Sequence, residues 1–253
     1  MQLTKEHQKQ IRSLQQKKNR IQSQSYLLEG VLLLEEALKM NAPVKEILFQ
    51  PYLMNKPGFM ALLNLAQSKN IPLYEVSPGV INNLSTEVSP QGVIAVVSML
   101  AVPKHVPSDS LLVCDEIQDP GNLGTLIRIA HWFGLAGVIT TPGTVDSFNP
   151  KVIRSAMGSH FHLPVIDLTI PEILQKTSTT HRILLSIVRN GLPVHELENS
   201  DKPFLLVIGN EARGVNPQWT GKTVLPVTLP PFSDCESLNA ATAAAAILSI
   251  LKY

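Results

Sequence analysis

Phe204-Leu205-Leu206-Val207-Ile208, followed at once by Gly209-Asn210-Glu211-Ala212-Arg213-Gly214, is the stretch on which the reading of this chain turns. Five apolar residues without alternation read as a strand covered on both faces, the habit of parallel sheets flanked by helices. The hexapeptide behind them then lies at the carboxyl end of that strand, where open α/β sheets hold their ligands. Gly209 and Gly214 allow close backbone approach and positive φ there. Asn210, Glu211 and Arg213 add an amide, a carboxylate and a guanidinium.

Two more polar clusters stand in the same relation to apolar runs. Asp119-Pro120-Gly121-Asn122-Leu123-Gly124 follows the run 111–114 and opens a helix that carries Arg128. Glu236-Ser237-Leu238-Asn239 follows the run 224–229, at the mouth of an alanine-rich helix expected from Ser237 or Leu238 to Lys252. Further runs at 137–140, 165–168 and 183–188 complete a set of parallel strands with helices between them. Asn149-Pro150 marks one helix start and Gly134 one helix end. Three polar clusters at strand ends point to one composite site.

Upstream, short strands are expected near 26–29, 45–49, 72–76 and 93–99, separated by helices near 31–40, 57–69 and 78–84. That pattern gives a small α/β sandwich. The Pro-, His- and Ser-rich stretch Val102-Pro103-Lys104-His105-Val106-Pro107-Ser108-Asp109 reads as a linker. It separates an N-terminal domain over 1–103 from a C-terminal domain over 108–253.

A chain of 253 residues can bury two modest cores, and 44% hydrophobic with 16% charged residues is ordinary for a globular protein, excluding disordered and fibrous classes. Its two cysteines, Cys114 and Cys235, make no disulfide framework and fit a reducing cytoplasm. Residues 1–10 lack the pattern of a signal peptide. The weakly polar run 240–251 is shorter than the roughly 20 residues that span a bilayer, so no membrane partner is expected. Net charge is only +1, yet Lys5, Lys9, Arg12, Lys17, Lys18 and Arg20 oppose Glu6 alone within one amphipathic helix expected over 4–20. A basic arm on a near-neutral body suits contact with a polyanion, although a solvated helix end has the same composition.

Several chemistries are excluded. Gly121 and Gly124 do not make the G-x-G-x-x-G fingerprint of dinucleotide binding, and no Gly-Lys-Ser/Thr of a phosphate loop follows them. A G-x-S-x-G elbow is missing. His160-Phe161-His162 lacks a third ligand at useful spacing, so no metal is expected.

Taken in order, the segments 114–128, 208–214, Leu229-Pro230 and 236–239 resemble the three motifs of the SpoU/TrmH-type RNA ribose 2′-O-methyltransferases. The segment 149–159 is similar to one the family carries between its first and second motifs. Lys17-Lys18-Asn19-Arg20, Leu28-Glu29-Gly30 and Ser89-Pro90-Gln91-Gly92-Val93 resemble the substrate-binding domain often fused to it. Ala156 and Ala240 stand where serine and valine are common in the family, and neither change removes a polar group that the chemistry needs.

The resemblance implies an α/β fold whose C-terminal parallel-sheet domain is tied in a trefoil knot, beside the small N-terminal sandwich. It implies methyl transfer from S-adenosylmethionine to a ribose 2′-hydroxyl of structured RNA, ribosomal RNA ahead of transfer RNA, by a homodimer. Cofactor contact falls on Ile208, Gly209, Leu229 and Leu238. Arg128 becomes the central catalytic residue, often assigned in the family as the base that activates the hydroxyl; because a guanidinium yields its proton only at extreme pH, the preferred role is to grip the RNA phosphate and stabilise alkoxide charge, with its own deprotonation the extreme alternative. Asn122 and Glu211 orient Arg128 or the ribose, while Ser237 and Asn239 hold the substrate; in structural terms alone, Ser237 caps the last helix and Glu211 pairs with Arg213. Lys17, Lys18, Arg20 and Arg154 are expected to bind RNA. A catalytically silent RNA-binding member of the fold and a nucleotide-dependent oxidoreductase are the alternatives, the latter disfavoured by the missing fingerprint.

Overall fold

The structure, a computed structural model of the chain, describes residues 3–101, 103, 105–198, 200–221, 223–234 and 236–252. Val102 and Lys104 of the expected linker, and Cys235, lie outside the described residues. The chain divides into two compact units, one containing the residues up to Ala101 together with Phe148–Phe161, the other containing the rest.

The first unit runs α1 (Lys5–Ser13), α2 (Lys17–Ser23), β1 (Ser25–Glu29), α3 (Val31–Lys39), β2 (Val44–Phe49), α4 (Phe59–Ser68), β3 (Leu73–Glu75), α5 (Pro78–Leu84) and β4 (Val93–Ser98). The sheet order is β1-β4-β2-β3, with β4 antiparallel to both neighbours and β2 parallel to β3. Side chains of a strand point alternately to opposite faces, and here both faces are apolar. Leu28, Ile47 and Ala95 enter one core with Leu34 and Leu38 of α3 and Phe59 of α4. Leu27, Leu48 and Ile94 enter the other with Ile11 of α1 and Ile81 and Leu84 of α5. The expected sandwich is therefore a mixed sheet with helices on both faces.

The single basic helix expected over 4–20 is two helices. Thr4 caps the first by accepting from His7 N, and the helix ends at Leu14, with Gln16 extended. Arg20 explains the break: its guanidinium reaches back and donates to Leu14 O at 2.9 Å and Gln15 O at 2.8 Å. It supplies the donors that terminal helix carbonyls lack. At 2% exposure, Arg20 is buried inside the fold, and the expectation that it binds RNA is corrected. Lys5, Lys9, Arg12, Lys17 and Lys18 remain exposed.

The segment Phe148–Phe161 belongs to this first unit although its sequence neighbours do not. Asn149 caps its helix, α7 (Pro150–Ala156), which opens on Pro150 as expected. Ile153 enters the core beside Leu28 and Leu34, and the Phe148 ring lies 5.0 Å from that of Tyr26. Arg154 donates to Thr86 Oγ1 at 2.9 Å and is paired with Glu29 and Glu87. Its guanidinium is thus paired with two carboxylates within the unit.

The second unit contains β5 (Leu111–Cys114), α6 (Pro120–Trp132), β6 (Val138–Thr140), β7 (Val165–Asp167), α8 (Ile170–Thr177), β8 (Arg182–Ser186), β9 (Leu192–Pro193), β10 (Phe204–Ile208), β11 (Val224–Thr228) and α9 (Ala240–Lys252). All seven strands are parallel, in the order β7-β6-β5-β10-β8-β11-β9. The two-residue strand β9 has no apolar run to announce it. Leu111, Val113, Leu205 and Val207 bury one face under Ile170 and Ile173 of α8. Helices α6 and α9 pack on each other and against β5 and β10. From β5 the chain moves outward to β6 on one side, whereas β10 arrives on the other, so the order reverses between β5 and β10. Ligands of open parallel sheets bind at such a reversal, beyond the carboxyl ends. No helix among the described residues is long and apolar enough to cross a membrane.

Candidate functional site

Three loops leave the carboxyl ends of β5, β10 and β11 and meet within the second unit. The β5 loop begins with Asp115, which is fully buried and accepts from Thr141 Oγ1 at 2.8 Å, Asn216 N at 2.7 Å and Trp219 Nε1 at 3.0 Å. This carboxylate holds the β10 loop onto the β5 loop. Glu116 follows in a left-handed conformation, accepts from Asn216 Nδ2 at 2.6 Å and pairs with Arg213 at 3.0 Å. The Arg213 partner is therefore Glu116 and not Glu211.

In the β10 loop, Asn210 and Gly214 exchange backbone hydrogen bonds of 2.9 Å, folding Gly209–Gly214 into a tight return. A methyl group on Gly209 would sit 2.4 Å from Gly214 C and Val215 N, so glycine is required by contact. The Asn210 side chain donates to Glu116 O and accepts from Ala212 N and Arg213 N. That fixes the turn from within.

The Glu211 carboxylate, left free of Arg213, accepts from Asn122 Nδ2 at 2.7 Å. Asn122 Oδ1 accepts in turn from Asn239 Nδ2 at 2.9 Å, and Asn239 Oδ1 accepts from Ala241 N and Thr242 N, capping α9. An ionised carboxylate only accepts, so each amide in this chain has one workable orientation. The polarity runs from the α9 cap through Asn239 and Asn122 to Glu211. Asn239, rather than Ser237, caps the last helix, which begins at Ala240 and not at Ser237 or Leu238. Asn122 itself is placed by the N-cap of α6, where Asp119 accepts from Asn122 N at 2.8 Å.

Beside this chain of amides lies a cleft of about 820 Å³ whose walls include Ile208, Gly209, Glu211, Leu229, Ser237 and Leu238. Arg128 is not among its lining residues. It stands exposed on α6, six residues beyond Asn122, without a hydrogen bond or ion pair to any described residue. Lys17 and Lys18 belong to the first unit. The structure thus joins Asn122, Glu211 and Asn239, gathers the four expected cofactor contacts around one cleft, and leaves Arg128 unpaired among the described residues.

Asp115, Glu116, Asn216 and Trp219 escaped the sequence reading. An acid directly after a buried strand was the available signal, but its partners lie 26 residues away at Thr141 and 101 and 104 residues away at Asn216 and Trp219. Cys114, just before them, is wholly buried; burial pushes its thiol far above the ordinary range, and the Asp115 and Glu211 carboxylates add to the shift. It is a packing residue.

Residues 109–249 match the SpoU rRNA Methylase family, and residues 5–95 match the MRM3-like substrate binding domain. The chain belongs to the SpoU rRNA methylase family. It is 36% identical over 242 residues to the 23S rRNA (guanosine(2553)-2′-O)-methyltransferase RlmP of Bacillus subtilis (strain 168), covering 95% of this chain and 94% of that protein. It is 30% identical over 242 residues to a 23S rRNA (uridine(2479)-2′-O)-methyltransferase of Streptomyces viridochromogenes, covering 90% of this chain and 83% of that one. Among solved structures it is similar to the SpoU methyltransferase AviRb from Streptomyces viridochromogenes in complex with AdoMet, with a TM-score of 0.87 and 25% identity over 98% of this chain and 97% of that chain. As a SpoU family member, the chain has its three motif segments at the three loops that meet beside the cleft.

Proposed function

We propose that the protein transfers the methyl group of S-adenosylmethionine to a ribose 2′-hydroxyl of structured RNA, ribosomal RNA in particular. The observation that carries this reading is the hydrogen-bonded chain Asn239–Asn122–Glu211, which draws the three motif segments together beside one cleft. The cleft fits the cofactor. Ile208, Gly209, Leu229, Pro230 and Leu238 offer an uncharged stretch of wall for an adenine, while the same cleft carries Glu211 and Glu236, suited to a sulfonium, and Arg189 and Arg213, suited to the cofactor's carboxylate. Bound there, S-adenosylmethionine supplies an electrophilic methyl group.

The chain must then align the attacking oxygen and stabilise the charge that grows on it. Arg128, with no partner of its own among the described residues, binds the phosphate beside the target ribose as a charge-assisted donor. A guanidinium donates at ordinary pH, so it acts by position and charge, while the hydroxyl proton passes to solvent water and S-adenosylhomocysteine leaves. Glu211, held by Asn122, and Ser237 of the cleft wall orient the ribose. Lys17 and Lys18 supply sequence-independent attraction to the RNA backbone. The name of the family matched by residues 109–249 and the names of the relatives favour ribosomal over transfer RNA.

A homodimer in the cytoplasm completes the proposal, with the knotted topology of the family in the second unit. Phe232 and Leu238 are exposed apolar residues at the cleft, a surface that a second copy can cover. The alanines of α9 contribute less to that than their number suggests, because Ala240, Ala241 and Ala244 are already buried within the chain. Incubation with labelled cofactor and unmodified ribosomal RNA, followed by mapping of 2′-O-methyl groups, tests the activity. Arg128→Ala is expected to abolish transfer while cofactor affinity measured by calorimetry stays near normal; retained transfer, or loss of folding, counts against the assigned role.

A further inference from the structure

We propose that Trp132 is a stacking platform for a nucleobase flanking the target ribose. Single exposed apolar side chains are normal on protein surfaces, but tryptophan is usually well buried, and Trp132 is 82% exposed in the last turn of α6. It follows Arg128 by four residues, which puts the two side chains on one helix face about 6 Å apart along the axis. Thr125 continues that exposed face toward the first motif. Between Pro120 and Trp132 the helix carries no carboxylate at all, so the face that presents a guanidinium and an indole repels no polyanion. Its backbone is anchored by Ile127 and Ala130, both fully buried, and the neighbouring His131 ring is stacked on His162 at 4.2 Å.

A cation and a flat π-surface one helical turn apart match the two parts of a nucleotide, phosphate and base. Bases splayed out of single-stranded RNA are held in this way. The inference rests on the reading of Arg128 as the RNA-binding residue of a methyltransferase. It adds a recognition element to that site.

The test uses the intact protein with in vitro transcribed, unmodified large-subunit ribosomal RNA. Trp219, the other tryptophan, is buried and hydrogen-bonded to Asp115, so fluorescence accessible to acrylamide reports Trp132. RNA is expected to shield that fluorescence in the natural protein. Trp132→Ala is expected to raise KM for RNA by roughly tenfold, the scale of losing one stacked base, with cofactor affinity and kcat nearly unchanged, and Trp132→Phe to restore most of the loss. Unaltered acrylamide access in the presence of RNA, or an alanine variant with unchanged KM, overturns the proposal. Shielding that appears with rising protein concentration and no RNA assigns Trp132 to an interface between copies and overturns it equally. Absence of methyl transfer by the natural protein to any ribose is a different result, the failure of the functional reading itself.

Discussion

Asn122 shows how much chemistry one amide can order. Its nitrogen must face Glu211 and its oxygen must face Asn239, and an aspartate of the same shape can do only half of this. Asn122→Asp would set two carboxylates against each other. We expect a fall in kcat/KM of roughly ten- to hundredfold, less severe at acid pH, because a like-charge pair raises the proton affinity of one member. A pH–rate profile of the variant checks this. Gly209 poses a steric problem: Gly209→Ala forces a methyl into Gly214 C and Val215 N. Overpacking of this kind costs about 1–3 kcal/mol, and because the strain falls on a cleft wall we expect weaker cofactor binding by calorimetry before any loss of secondary structure.

At the scale of elements, most of the fold could be read because burial imposes a period. The runs 111–114 and 204–208 coincide with β5 and β10, and the expected helices at 31–40 and 78–84 match α3 and α5 within a residue. The break between α1 and α2 carries no such mark, since no glycine or proline interrupts 4–20. It is made by a side chain, Arg20, satisfying carbonyls five and six residues before it, and a contact of that kind has no signature in local composition. The consequence for RNA attraction is concrete. Lys17 and Lys18 remain exposed whereas Arg20 does not. Replacing Lys17 and Lys18 together by alanine is expected to weaken RNA binding and to flatten its dependence on salt concentration by up to about two ions released. Filter binding across a salt series measures it. An Arg20→Ala variant should lose stability, and its salt slope should stay unchanged.

Across the whole molecule, the site was more legible than the network that supports it. Asn122, Glu211 and Asn239 stand in recognisable motifs, whereas Asp115 and Glu116 work through partners at Thr141, Arg213, Asn216 and Trp219 that only folding brings near. Each unit also buries a group that resists ionisation: Tyr26 in the first and Cys114 in the second, both pushed up by burial. The sign follows from the unfolded chain, where these groups ionise near their ordinary values of 10.0 and 9.0. Folded, they stay neutral, so their contribution to stability is complete below pH 9.0 and declines as pH rises beyond it. Urea midpoints measured from neutral to strongly alkaline pH should fall over that interval, and Cys114 should resist alkylation until the protein unfolds.

The packing of Phe148–Phe161 into the first unit bears on how such proteins can be recombined. The polypeptide passes between the two units three times instead of once, so a cut near residue 102 does not release two finished halves. A chimera that exchanges the substrate-binding half for that of a relative must import residues 148–161 from the same donor. Otherwise Ile153 and Arg154 arrive at a core and a pair of acids shaped for someone else's helix.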